Sequence, residues 1–206
     1  MSAMPGSPAG ASAALAPEDE ARAAIYGLAA RLFYAQPDDG LLGYIVNARL
    51  VEDNGSPLAR AWGALAEASR QAFAVKLENE HTELFVGTGK AEITPYLSHY
   101  VIQYATDNPL VDLRIRLKEW GIARRDGASE PEDHIAGVCE AMRFAIAVQH
   151  RSEGEQKSFF EIFVYPGGVK FCNAVIASPK AQFYRLAALF LREFLALEKQ
   201  AFEMLS

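Results

Sequence analysis

The sequence predicts an all-α protein of about eight to ten helices. Apolar residues recur at intervals of three and four along most of the chain, which is the period of one helical face. Several helix starts are also marked by a polar residue followed by proline. No segment alternates apolar and polar residues over the length of a typical strand. The nearest candidates, Ile162–Tyr165 and Val169–Cys172, are short.

The composition supports a packed core and disfavours one class of partner. The chain has 206 residues, of which 50% are hydrophobic, enough for one domain or for two helical lobes that share a core. The formal net charge of -6 disfavours nucleic-acid binding, because phosphates are held by basic surfaces. The same charge suits a partner that carries positive charge.

Cysteine usage and the amino terminus predict the cellular compartment. Cys139 and Cys172 form no C-x-x-C pair and lie in apolar helical segments, so we expect buried free thiols. Residues 1–16 are mostly Ala, Ser, Gly and Pro with no basic start, which predicts a disordered tail and not a signal peptide. Since no segment reaches the ~20 apolar residues of a membrane helix, we expect a cytoplasmic protein.

We expect residues 17–120 to form an N-terminal helical lobe. Pro17 and the three acids after it begin the first helix, and Gln36-Pro37 ends it. Asp38 or Asp39 then caps a second helix. The apolar face of the first helix consists of Ala21, Ile25, Leu28, Leu32 and Phe33.

Three further helical segments complete this predicted lobe. One begins at Ser56-Pro57, and its face carries Leu58, Trp62, Leu65 and Ala66. Another runs through Phe73, Leu77, Leu84 and Phe85 and ends at Gly87, where residues 87–99 form a loop. The third begins at Asn108-Pro109 and ends at Gly121, with Leu110, Leu113, Leu117 and Trp120 between them.

The polar stretch 121–130 is predicted to be a hinge, and residues 131–206 a C-terminal helical lobe. Ser129 or Glu130 is expected to open the first helix of this lobe, with Pro131 in its first turn. A short helical piece is expected over Phe159–Val164, ended by Tyr165-Pro166-Gly167-Gly168. The last helix is expected to run from Ser178-Pro179 to about Met204.

Most patterns that could support catalysis are incomplete. The four histidines form no H-E-x-x-H or other close ligand pair, so no metal is expected. Gly87-Thr88-Gly89-Lys90 lacks the remaining residues of a phosphate loop, since Leu84 and Ala91 occupy two required positions. No serine or cysteine lies in a nucleophile motif. We therefore expect a protein that is not an enzyme and that has no cofactor.

Two segments remain as candidates for a binding site. Glu132-Asp133-His134 groups acids with an imidazole near a helix start, where the same acids can simply cap the helix. The stretch Thr94–Tyr100 is rich in aromatic residues with polar tips, which suits a peptide-binding surface. The same aromatics can equally pack two lobes together, and composition leaves both interpretations open.

The order of these segments resembles the TorD/DmsD/NarJ-like family of redox-enzyme maturation chaperones. Ala24–Phe33 looks like the opening helix of that family. Glu80–Gly87 followed by Pro95–Tyr100 is similar to its Y-x-x-L-F-x-G … P-Y/W-x-S-x-Y block, and Glu130–Ile135 to its E-x-P-D-D-H signature. Phe159-Phe160 and Phe183–Ala187 fit its C-terminal pattern. Glu132 stands where the family usually has aspartate.

The resemblance implies a cytoplasmic chaperone that binds the twin-arginine signal peptide, the body, or both, of a molybdopterin-dependent oxidoreductase during cofactor insertion and before export. It also implies a helical fold, and either a monomer or a domain-swapped dimer. The peptide-binding candidates carried over by motif are Pro95, Tyr96, Ser98, Tyr100, Glu130, Pro131, Glu132, Asp133 and His134.

A physical assignment of roles follows as a hypothesis. Glu132 and Asp133 would accept hydrogen bonds from arginine, while Tyr96, Tyr100 and nearby leucines would line an apolar groove. Two alternatives stay open at this point: a helical regulatory adaptor without signal-peptide specificity, and an enzyme that uses Asp133 with His134.

Overall fold

Ten α-helices make up the fold of the described residues, 15–87, 91–104, 107–123 and 130–205, in the computed structural model. The predicted all-α class is confirmed. The helices are α1 (Pro17–Tyr34), α2 (Asp39–Asn47), α3 (Pro57–Gln71), α4 (Ala74–His81), α5 (Ser98–Val101), α6 (Pro109–Glu119), α7 (Ile135–Ala147), α8 (Glu153–Phe159), α9 (Tyr165–Ala177) and α10 (Phe183–Met204). π-Helical turns, Thr82–Val86 and Phe160–Val164, continue α4 and α8. In the described residues the only β pairing is an isolated bridge between Tyr96 and His134.

The early helices begin where local signals predict. Pro17 is the first residue of α1. The Asp38 side chain caps α2 by accepting a hydrogen bond from the Leu41 amide at 2.7 Å. The Ser56 hydroxyl accepts from the Ala59 amide at 3.1 Å and so caps α3.

The predicted end of α6 at Gly121 is also confirmed. Gly121 has a φ of +66°, a conformation that glycine adopts without a steric penalty. The Ile122 amide then donates to the Leu117 carbonyl at 2.8 Å, and the Gly121 amide to the Lys118 carbonyl at 3.0 Å. These two bonds satisfy carbonyls that the end of a helix leaves free.

The prediction that a helix opens at Ser129 or Glu130 is wrong. Residues 131–134 form a turn in which the His134 amide donates to the Pro131 carbonyl, and α7 begins at Ile135. His134 occupies the N-cap position, where its Nδ1 accepts from the Ala136 amide at 3.1 Å. Residues 124–129, most of the predicted hinge, lie outside the described residues, as do residues 1–14 of the predicted tail.

The predicted short piece Phe159–Val164 is in fact the middle of a longer helical stretch. It begins at Glu153, where Ser152 and Glu155 form a capping box, and it continues to Ala177. Tyr165-Pro166-Gly167-Gly168 does not end it, because Pro166 falls in the first turn of α9, just after the π-helical turn, where a missing N–H is tolerated.

This continuity produces a stretch, Glu153–Ala177, that is long and apolar enough to cross a membrane by length and composition alone. The expectation that no segment reaches that length is therefore wrong by this measure. Part of its apolar surface packs inside the protein: Phe159, Phe171 and Cys172 are each 0% exposed, whereas Ile162 is 53% exposed. Such burial is also found in the core helices of globular proteins.

The last helix starts later than predicted. Its first turn is capped by Glu80, whose carboxylate accepts hydrogen bonds from the amides of Gln182, Phe183 and Tyr184 at 2.8, 3.2 and 2.9 Å. This carboxylate satisfies three amides at the start of α10. Helix α10 therefore begins at Phe183, and Ser178-Pro179 lie in the preceding connection.

The buried residues of the described chain form one connected hydrophobic cluster. Within it, α1 packs mainly against α7, whereas α10 packs against α9 and α3. Cys139 and Cys172 are buried free thiols, as predicted, and burial raises the pKa of Cys139 to about 12. The division into lobes 17–120 and 131–206 stays a prediction, since residues of both belong to this cluster.

A buried ion pair joins the first helix to the last. Arg22 Nε lies 2.7 Å from Glu198 Oε1, and the Tyr26 hydroxyl donates to Glu198 Oε2 at 3.0 Å. Arg22 also donates to Gln156 of α8 at 2.9 Å. Burial by itself lowers the pKa of Arg22, but the hydrogen bond and charge of Glu198 outweigh this and raise it. A satisfied network of this kind fixes the relative placement of three helices.

We expect Glu198→Ala to lower the free energy of unfolding by roughly 1–3 kcal/mol, because Tyr26 loses its acceptor and Arg22 keeps only Asp19, 2.7 Å away, as a charged partner. Chemical denaturation measures this loss. The matched control is Glu203→Gln on the same helix, which removes an exposed partner of Lys199 and should leave stability almost unchanged. Equal effects of the two variants would contradict a structural role for the buried network.

The close approach of α9 to residue 97 yields a second stability prediction. A Cβ added at Gly167 would lie 2.8 Å from Leu97 Cβ and 2.9 Å from the Leu97 carbonyl oxygen. Gly167→Ala should therefore cost about 1–3 kcal/mol. Gly63→Ala, at an exposed helical position with nothing within 4 Å, should instead stabilise the protein by up to ~1 kcal/mol. Thermal unfolding of both variants checks the opposite signs.

Candidate functional site

Two of the predicted binding segments meet in a short antiparallel pairing. The Leu97 amide donates to the Asp133 carbonyl at 2.8 Å, and the Ile135 amide donates to the Pro95 carbonyl at 2.8 Å. These two bonds flank the bridge between Tyr96 and His134. The bridge holds the aromatic loop against the start of α7, although about 35 residues separate the segments in sequence.

Aromatic rings and a carboxylate surround His134 at this junction. The imidazole ring centre lies 5.8 Å from that of Tyr96 and 6.4 Å from that of Tyr34, which ends α1 and is 58% exposed. The Tyr96 hydroxyl donates to Glu130 Oε2 at 2.6 Å. This hydrogen bond, with burial, raises the pKa of Tyr96 to about 12. The side chains of Tyr34, His134, Tyr96 and Glu130 therefore form one connected group of polar and aromatic contacts.

The electrostatics of His134 favour its neutral form. Burial lowers its pKa, and the nearby carboxylates of Glu130 and Asp133 only partly oppose this effect. The cap at the start of α7 also requires the neutral form. Nδ1 accepts a hydrogen bond from the Ala136 amide, so it carries no proton. His134 is therefore held as a structural cap whose orientation is fixed.

Asp133 has an unusual environment for a carboxylate. The residue is 5% exposed, and its Oδ1 has no hydrogen-bond partner among the described residues. Buried carboxylate oxygens are normally satisfied, because leaving one without a partner costs free energy. The side chain borders a cleft between α5, α6 and the second π-helical turn.

This cleft is apolar apart from two residues. Asp133 is the only charged residue that lines it within the described part of the chain, and Ser98 supplies one hydroxyl. Its lining residues are Leu97, Ser98, Val101, Pro109, Leu113, Asp133, Val138, Ile162 and Phe163. A carboxylate in an apolar cleft can pair with a cationic group that also carries hydrocarbon, such as arginine.

Of the nine predicted residues, only Ser98 and Asp133 line this cleft, and three of the others have partners of their own. Glu132 Oε2 lies 2.9 Å from Arg114 Nε of α6, in a separate cleft beside Leu117 and Ile122. The Tyr100 hydroxyl donates to the Thr94 carbonyl at 2.8 Å, and burial raises its pKa to about 12. Pro131 contributes its carbonyl to the turn before α7.

Several residues of the cleft were not selected from sequence. Val101, Leu113, Ile162 and Phe163 line it together with Asp133. Their apolar character gave no signal that separates them from core residues. For Tyr34 the sequence held a weak signal, because it is an aromatic residue at the end of a helix.

The glycine-rich stretch Gly87-Thr88-Gly89-Lys90 is described by the structure only at Gly87. Thr88, Gly89 and Lys90 of the glycine-rich stretch lie outside the described residues. Within the described residues no group of three His, Cys, Asp or Glu side chains is arranged to hold a metal ion.

Comparison with known proteins places this fold and site in a family. The model of the family described as nitrate reductase delta subunit matches residues 52–166, more than half of the chain. The chain therefore belongs to that family.

A curated relative is consistent with this assignment, and a solved structure has a similar fold. The chaperone protein TorD of Photobacterium profundum is 32% identical over 91 residues, which cover 43% of this chain and 42% of that protein. The match thus spans less than half the length of the curated relative. A structure from Archaeoglobus fulgidus, provisionally assigned as a redox enzyme maturation protein, has a TM-score of 0.54 and 20% identity. It covers 85% of this chain and 93% of its own, and it supports the fold. The resemblance to TorD-like proteins is confirmed.

The state of His134 predicts how stability depends on pH. Burial lowers its pKa, and that of His81, below the ordinary value of 6.5. Above pH 6.5 both histidines are neutral in the folded and the unfolded chain, and their contribution to the free energy of unfolding is complete. As the pH falls below it, the unfolded chain takes up protons first, so the free energy of unfolding should decrease.

His134→Asn should flatten this decrease, because asparagine keeps a cap acceptor but does not titrate. Urea denaturation at a series of pH values between 4 and 8 measures the slope, with His81→Gln as the variant that removes the other contribution. An unchanged slope in His134→Asn would show that His134 does not contribute.

Proposed function

We propose that the protein is a cytoplasmic chaperone for a molybdopterin-dependent oxidoreductase, and that it binds the twin-arginine signal peptide, the body, or both, before export. Membership of the nitrate reductase delta subunit family and the similarity to a TorD chaperone support this class. The proposed binding residues remain the nine selected from sequence, of which Ser98 and Asp133 line the cleft.

The single observation that carries the proposal is the environment of Asp133. Its buried Oδ1 has no partner among the described residues, and it borders a cleft that is otherwise mostly apolar. The cleft has a volume of only about 20 Å³ and the oxygen is itself buried, so a guanidinium group would reach Asp133 once the side chains around the cleft move apart. It would then supply both the opposite charge and directed hydrogen bonds. The net charge of -6 favours approach of a basic segment.

The chemistry of the site is that of recognition. Nδ1 of His134 is used in capping α7, and the Tyr96 hydroxyl is used in binding Glu130. Burial raises the pKa of the thiols of Cys139 and Cys172, which disfavours the reactive thiolate. These arrangements support a binding role without catalysis.

Calorimetric titration with a twin-arginine signal peptide tests the proposal, with a twin-lysine peptide beside it. Asp133→Asn keeps the shape of the side chain but removes its charge. We expect it to weaken arginine-peptide binding by roughly 10- to 100-fold, the usual worth of a charge-assisted hydrogen bond. Glu67→Gln on α3, an exposed carboxylate outside the site, is the matched control and should bind normally.

The two alternatives give different results. An adaptor without signal-peptide specificity would bind neither peptide, or both with equal affinity. Loss of binding in Asp133→Asn counts only if its thermal unfolding stays cooperative, which circular dichroism establishes on the same samples.

A further inference from the structure

We infer that the solvent side of α6 is a docking surface for an acidic amphipathic helix in the body of the client oxidoreductase. This inference rests on the proposed function and deepens it, because it assigns the body of the client to a surface of its own, apart from the cleft beside Asp133. We call this surface the α6 face. It consists of Val111, Arg114, Ile115 and Lys118, all exposed residues of that helix.

The α6 face has an apolar stripe in addition to the one that packs on the core. Leu113 and Leu117 are buried and hold the helix on the protein. Val111 and Ile115 lie one turn apart on the other side and are 42% and 52% exposed. Helices on a protein surface usually have polar residues on the solvent side, so a second apolar stripe predicts a second contact.

Basic side chains lie beside this stripe. Lys118 follows Ile115 by about one turn, and Arg114 precedes Lys118 by one turn. Among the described residues Arg114 pairs with Glu132 at 2.9 Å, whereas Lys118 forms no ion pair. Both basic residues line a cleft of about 430 Å³, whose apolar walls include Ile122. This cleft has room for side chains of another chain, unlike the cleft of about 20 Å³ described above.

The distribution of charge defines the occupant. The two basic residues of the cleft select carboxylates, whereas Asp112 and Glu119 lie on the other side of the stripe and disfavour carboxylates there. A partner helix that lies along α6 would therefore place apolar residues on the Val111–Ile115 stripe and acidic residues only at the edge that faces the cleft. The twin-arginine segment of a signal peptide is basic and lacks these acids, so the α6 face suits the body of the client.

Calorimetric titration with the client body tests this surface separately from the signal peptide. The probe is the catalytic subunit of a molybdopterin oxidoreductase encoded near this chain, purified without its signal peptide and without cofactor. We expect Lys118→Glu and Ile115→Ser each to weaken its binding by roughly 3- to 10-fold. Neither variant should change the affinity for the twin-arginine signal peptide. Higher salt should weaken binding of the wild type more than that of Lys118→Glu.

Lys76→Glu on α4 and Leu197→Ser on α10 are matched controls, because they make the same changes at exposed positions outside α6. Both should bind the subunit as the wild type does. Equal losses in controls and α6 variants, no loss in any variant, or no binding by the wild type would overturn the α6 face.

An anionic membrane surface is the competing occupant, and vesicles of phosphatidylglycerol test it. Vesicle binding that depends on Lys118, with subunit binding the same in all variants, would assign the α6 face to lipid and overturn the inference. The proposed function is judged by the titration of Asp133→Asn with the signal peptide. It therefore stands if that peptide binds in an Asp133-dependent way, even where the α6 face fails.

Discussion

The packing of α1 against α7 is the constraint on which the rest of the structure depends. Eight residues of α1 are buried, so the helix is enclosed on most of its sides, and α7 is its main neighbour. Asp133 and His134 immediately precede the first residue of α7. The ring of Tyr34, at the end of α1, has its centre 6.4 Å from that of His134. The candidate site is thus anchored to the best-packed part of the core and not to a free loop.

Two carboxylates elsewhere in this fold are well supplied with partners, whereas Asp133 shares with His81, Tyr184 and Arg185 a buried polar atom that has none among the described residues. Glu198 accepts from Arg22 and Tyr26, and Glu80 accepts from three backbone amides. The protein's own groups satisfy the carboxylates of Glu198 and Glu80. The Asp133 carboxylate differs from them, because its Oδ1 has no such partner among the described residues. In physical terms, the proposed binding of a cationic group would recover stability that folding forgoes at this position.

The loop at the candidate site is held in place by contacts within the protein. Backbone hydrogen bonds join Leu97 to Asp133 and Ile135 to Pro95, and Gly167 allows α9 to pack directly on Leu97. Lys170 of α9 also donates to the Tyr100 carbonyl at 2.9 Å. Ordering a loop on binding costs conformational entropy, so a loop fixed beforehand leaves more of the interaction energy for affinity.

The sequence by itself determined the helical class, the capped starts at Asp38 and Ser56, and the two segments that form the site, because each depends on hydrogen bonds or patterns within a few residues. The start of α8 also depends on a local signal, the capping box of Ser152 and Glu155, although the helix was predicted to begin only at Phe159. Only the tertiary structure decided where α10 begins, because its cap, Glu80, lies about a hundred residues away. It alone also brought Ile162 and Asp133 to one cleft, since packing between distant helices leaves no local signal in the chain.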